Sequence, residues 1–131
     1  MTDDLPTPAE IIAAHDRIEE IYDLKYPGTM TAAPKRTLRR EVLEPAAEHD
    51  DPYHRAATLF WKIESVHVFE DANKRTAWAV TENYLRENGI APPPGDELVE
   101  RVVRRAGMFD VDELADWFET GDIDASRLPE H

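Results

Sequence analysis

From His67 to Thr76 the chain reads His-Val-Phe-Glu-Asp-Ala-Asn-Lys-Arg-Thr. Imidazole, carboxylate, amide, ammonium and guanidinium all occur within the nine residues that end at Arg75. The stretch lies between two segments whose apolar residues recur at helical spacing, so it reads as a polar loop leading into a helix. A helix start presents unpaired backbone N–H groups, and its dipole favours an anion. Lys74 and Arg75 add positive charge at the same place. Cations there oppose the dipole unless an anion sits beside them. The chemistry implied is an anion cradle, with phosphate as its natural guest.

Each side chain then has a task. His67 can accept a proton from an attacking hydroxyl, because its ordinary pKa lies near neutrality. Asp71 is a hard oxygen ligand suited to Mg²⁺ held against phosphates. Asn73 can hydrogen-bond the loop or the phosphate, and Lys74 and Arg75 bring cations to the same place. Phe69, apolar within a polar loop, should point into the core and fix the loop. Ala72 is small enough to let a ligand approach the backbone. Phosphoryl transfer asks mainly for positioning, a metal and cations near the moving charge. The plainer alternatives are a capping or core histidine at His67 and a mere helix cap at Asp71.

The elements that must hold these residues are helices. Thr7-Pro8-Ala9-Glu10 is a capping box with Pro at the first helical position. It opens a helix with Ile11, Ala14, His15, Ile18, Ile21 and Tyr22 on one inward face, stopped by Pro27-Gly28. A second helix is expected from Pro34 to about Glu44, with Leu38 and Val42 inward and Pro45 ending or bending it. Asp51-Pro52 caps a third, with Ala56, Leu59, Phe60, Ile63 and Val66 inward.

The motif helix runs from about Asn73 to Asn88 with Ala77, Val80, Tyr84 and Leu85 inward, and Asn88-Gly89 stops it. A loop with three consecutive prolines follows, and nothing in its pattern supports a hairpin there. Asp96 caps a helix carrying Leu98, Val99, Val102, Val103 and Ala106 that ends at Gly107. Asp110 to Glu113 cap the last, with Leu114, Trp117 and Phe118 inward and Gly121 after it. Trp61, Trp78 and Trp117 fit the core. The Arg36-Arg39-Arg40 and Arg101-Arg104-Arg105 runs fit solvated faces. His49 and His54 are loosely spaced for a metal site and lack an evident third ligand.

This is an all-α chain, a compact helical bundle of about six helices. A chain of 131 residues suits a single domain, with a core over about residues 5–119 and a loosely held tail from 122 to 131. Hydrophobic residues make up 41%, enough for a globular core. Cysteine is absent, which excludes disulfides and thiolate metal sites and fits a cytoplasmic setting. No apolar run approaches the ~20 residues of a membrane helix, and the acidic start lacks the apolar core of a signal peptide. The net charge of −13 argues against nucleic acid as main partner. Lysines are few beside the 28 carboxylates, a bias that suits a salt-rich habitat, where screening relieves carboxylate repulsion.

The motif His67-x-Phe69-x-Asp71-Ala72-Asn73-Lys74-Arg75-Thr76-Ala77 resembles the signature of the Fic/Doc family. In particular it resembles the Doc (death-on-curing) branch, which has Ala and Lys where other members have glycines, as Ala72 and Lys74 do here. The likeness extends over most of the chain, from about Leu5 to Glu119. What the resemblance implies is a short all-α Fic/Doc-like domain that uses ATP and Mg²⁺. Many family members transfer AMP to a target hydroxyl. Doc-like members, with Lys at the place of Lys74, bind the nucleotide reversed and transfer its terminal phosphate to an elongation factor, arresting growth. They are toxins checked by a small antitoxin whose C-terminal segment folds onto them.

By position in the motif, His67 would be the general base, Asp71 the Mg²⁺ ligand, and Asn73, Lys74 and Arg75 the phosphate clamp. Trp78 stands where AMP-transferring members usually have a second Arg, which speaks for phosphate transfer. The competing expectations are AMP transfer of the Fic type and a non-catalytic interaction module that retains the fold.

Overall fold

The computed structural model describes residues 5–22, 32–69, 72–94 and 96–128. Its helices are α1 (Pro8–Tyr22), α2 (Pro34–Leu38), α3 (Glu44–Ala47), α4 (Pro52–Val66), α5 (Asn73–Glu87), α6 (Glu97–Arg104) and α7 (Val111–Thr120). A π-turn, Arg39–Leu43, joins α2 to α3 without a break, so the described residues form six helical rods, as expected of an all-α bundle. None of these helices is long and apolar enough to cross a membrane.

Local chemistry sets most helix ends. The Thr7–Glu10 capping box closes in both directions, at 2.8 and 3.1 Å. Asp51 and Asp96 accept from the backbone N–H groups of His54 and Val99. Asp110 and Glu113 form a second capping box. At the end of α5, Gly89 takes φ +74°, and the N–H groups of Gly89 and Ile90 reach back to Arg86 and Leu85. That is the left-handed stop expected of Asn88-Gly89.

The second rod departs from expectation. Of the two expected outcomes, Pro45 does not end it, because the π-turn comes first and Glu44 N–H bonds to the carbonyl of Arg39, five residues back. A proline in a regular α-helix lacks the N–H its turn needs and presses on the carbonyl four residues earlier. The wider π-turn absorbs that conflict while keeping Leu38 and Val42 buried. A smaller difference follows the same local logic: α6 ends at Arg104 and passes into a 3₁₀ turn at Ala106–Met108, ahead of the expected Gly107 stop. Beyond α7, the Leu128 side chain is buried in the core. The stop expected at Pro27-Gly28 lies outside the described residues.

α4 is the central rod, packed against α5, α7 and α3. Its Leu59, Phe60 and Ile63 meet Ala77, Val80, Tyr84 and Leu85 of α5 and Leu114, Trp117 and Phe118 of α7 in one core. Trp78 crosses Phe60 edge-on at 5.5 Å and stacks on Trp117 at 5.7 Å. α1 contributes Ile11, His15 and Ile18, but Ile21 and Tyr22, expected inward, are exposed at 66% and 54%. They occupy the last turn of α1, where the helix has run past the core it packs on. The fold thus brings the end of α4, the start of α5 and the end of α1 to one region.

Candidate active site

His67 ends α4 and Ala72 begins α5, and both adopt left-handed backbone, with φ of 56° and 63°. They are the positive-φ residues other than glycine among those described. A left-handed Cβ is sterically costly, and such residues cluster where a site over-determines the backbone. Two such reversals turn the chain out of one helix and into the next within a short span. Between them Val68 and Phe69 are buried and anchor the loop, as expected for Phe69. His67 itself is exposed.

Asn73 closes the loop from the other side. Its Oδ1 accepts from Phe69 N–H at 3.2 Å and its Nδ2 donates to the Phe69 carbonyl at 2.9 Å. Of the two tasks open to this amide, the loop bond is the one observed. The side chain is buried and turned away from solvent. Any contact it makes with an anion would come through its backbone N–H in the first turn of α5.

That first turn is set up differently from those of α1, α4, α6 and α7. Ala72 at the N-cap has no side-chain oxygen to cap the N–H groups, and no acidic residue follows it in the turn. Two cations occupy the turn, and both are exposed. Lys74 Nζ lies 3.2 Å from Glu64 Oε1, a largely covered carboxylate one turn before His67 on α4. This ion pair draws the ammonium toward the turn that carries His67. The Arg75 guanidinium lies over the ring of Tyr22, 4.2 Å from its centroid. Asp71, the expected Mg²⁺ ligand, lies outside the described residues.

Two further polar clusters stand out among the described residues. His15, Asp16 and Glu19 place one ligand atom each within 4.8 Å of one another. They share one helix face, and the buried ring of His15 is stacked on Phe69. His54 bonds Asp51 at 2.8 Å and Asp112 at 3.2 Å, which ties the N-termini of α4 and α7 together. Trp78 is committed to the aromatic cluster of α4, α5 and α7.

Three participants were not marked by sequence: Glu64, Tyr22 and His15. Glu64 gave no signal beyond lying three residues before His67. His15 and Tyr22 were placed on the inner face of α1 by spacing, but their partners in the motif come from another part of the chain. The family model described as the Fic/DOC family matches residues 5–85. The chain is also 33% identical to the protein kinase doc of Escherichia phage P1 over 115 residues, which is 84% of this chain and 89% of that protein.

Proposed function

The chain belongs to the Fic/Doc family, and from that premise we propose that it is a Doc-like toxin transferring the γ-phosphate of ATP to a hydroxyl of a target protein. The observation that carries this reading is the first turn of α5. A helix start whose N-cap residue, Ala72, supplies no side-chain cap bears Lys74 and Arg75 and follows the left-handed turn at His67. Oriented N–H groups, a favourable dipole and two cations in one turn suit the charge of a moving phosphoryl group.

In this scheme the target hydroxyl oxygen attacks the γ-phosphorus, and its proton passes to the His67 imidazole. The bond from phosphorus to the β–γ bridging oxygen breaks, and ADP leaves with that electron pair. Lys74 and Arg75 hold the terminal phosphates, while Asn73 keeps the loop in register and offers its backbone N–H. Asp71 has the hard carboxylate oxygen that Mg²⁺ requires and would hold that ion, which neutralises phosphate charge when bound. Lys74 fills space that a glycine would leave open for phosphates against the loop. Trp78, committed to the core, cannot supply the second arginine associated with AMP transfer.

The similarity to the phage P1 protein kinase doc supports extending the scheme to its setting. The target would be a translation elongation factor in the cytoplasm, and the partner an antitoxin whose C-terminal segment folds onto this domain. Purified protein given Mg²⁺, a cell lysate and ATP labelled at either the α- or the γ-phosphate tests the reaction. Label from the γ position only, lost in His67→Ala, is the expected result. Label from the α position would assign AMP transfer instead. No label from either, with a folded protein, would favour a binding module.

A further inference from the structure

Two rings of α1 lie against described residues of the motif. The imidazole of His15 lies face to face with Phe69, centroids 3.9 Å apart and planes 5° from parallel. Seven residues later the Tyr22 ring carries the Arg75 guanidinium. Seven residues are close to two helical turns, so both side chains leave α1 from one face. The two contacts differ in kind. The His15–Phe69 stack is buried and fixes the loop backbone. Tyr22 is 54% exposed and adds little to the core, so its π face is what it has to offer.

We propose that Tyr22 is a positioning residue that holds Arg75 ready for a nucleotide phosphate, so that α1 is part of the phosphate site. The proposal rests on the nucleotide reading given above. An exposed arginine samples many rotamers and loses that freedom when it grips an anion. A ring beneath the guanidinium restricts it before the ligand arrives. The ring takes only the flat face of the group by cation–π attraction. The N–H groups in the guanidinium plane stay available for two-point contact with phosphate oxygens. Lysine could not use such a shelf in this way, because its donors are not held in a plane.

The test uses ATP with Mg²⁺ as the probe, with calorimetric affinity measured for wild type, Tyr22→Phe, Tyr22→Ala, Arg75→Ala and the Tyr22→Ala/Arg75→Ala double variant. Tyr22→Ala should weaken binding about two- to fivefold, Tyr22→Phe should stay near wild type, and Tyr22→Ala should add nothing once Arg75 is gone. Melting temperatures of the variants show whether each remains folded. In the nucleotide-free protein, NMR should find the Arg75 side-chain protons shifted by the ring current in wild type and Tyr22→Phe but not in Tyr22→Ala. Unchanged affinity in Tyr22→Ala, or an equal loss with and without Arg75, overturns the proposal alone. An absent ring-current shift in wild type overturns it irrespective of nucleotide. Wild type that binds no ATP while keeping the shift removes the nucleotide reading and, with it, the role given to the shelf.

Discussion

Glu64 places a carboxylate beside the group most needed for an anion. Its side chain is 13% exposed and the Lys74 side chain 44%, so the pair is screened mainly on the lysine side. A phosphate arriving at the first turn of α5 must compete with Glu64 for that ammonium and meets its negative charge as well. Glu64→Gln removes the charge and keeps the shape. It should tighten ATP binding about two- to fivefold at low salt, as expected for a partly exposed ion pair. The gain should shrink as salt is raised. Calorimetry at two NaCl concentrations measures both effects, and weaker binding in Glu64→Gln would mean that Glu64 orients Lys74 for the ligand. His67 shows the other feature of this scale. A glycine would adopt its left-handed backbone more cheaply by about 1 kcal/mol, so the strain sits on the residue to which proton transfer is assigned.

At the scale of elements, the far end of α4 is clasped to α7 through His54. Partial burial favours the neutral ring, but the hydrogen bonds and charges of Asp51, and then of Asp112, outweigh it and raise the His54 pKa above 6.5. Burial likewise works against the Asp51 carboxylate. The His54 backbone N–H and the imidazolium outweigh that effect and hold Asp51 below 3.8. A raised histidine contributes stability that is complete below its unfolded pKa and is lost as pH rises through the folded value. A lowered aspartate contributes above its unfolded pKa and loses that contribution as pH falls through its folded value. The melting-temperature gap between wild type and His54→Gln should therefore be widest below the ordinary histidine pKa and shrink as pH rises above it through the raised folded value. A gap that stays constant over that range would show that the clasp acts through packing and not through charge.

For the whole molecule the dominant fact is charge. The chain carries 28 carboxylates against 15 lysines and arginines. Mutual repulsion of this kind opposes compaction, and salt relieves it by shortening the screening length from about 10 Å at 0.1 M to about 3 Å at 1 M. The melting temperature should rise by about 5 °C over that range, the equivalent of roughly 1 kcal/mol for a domain of this size. Thermal unfolding in a series of NaCl concentrations measures it, and a flat series would mean that the carboxylates are spaced too widely to repel. The same excess of negative charge makes the exposed Lys74 and Arg75 turn stand out as a place for an anion.

Much of this architecture was legible in the sequence because it depends on neighbours three or four residues apart. Thr7 and Glu10, Asp51, Asp96 and the Asp110–Glu113 pair cap their helices where they stand. The inward residues of α5 follow from spacing alone, and the polar stretch from His67 to Arg75 marked itself by interrupting that rhythm. What only the tertiary structure decided are the contacts between different helices and the loop. These are Lys74 paired with Glu64, Arg75 laid on Tyr22, and His15 stacked on Phe69. Spacing can place Tyr22 on the inner face of α1, but it cannot say where the core stops, so the last turn of that helix was expected inward and lies exposed. Which groups meet there depends on how long each helix runs and how the rods cross, and local propensity does not encode either.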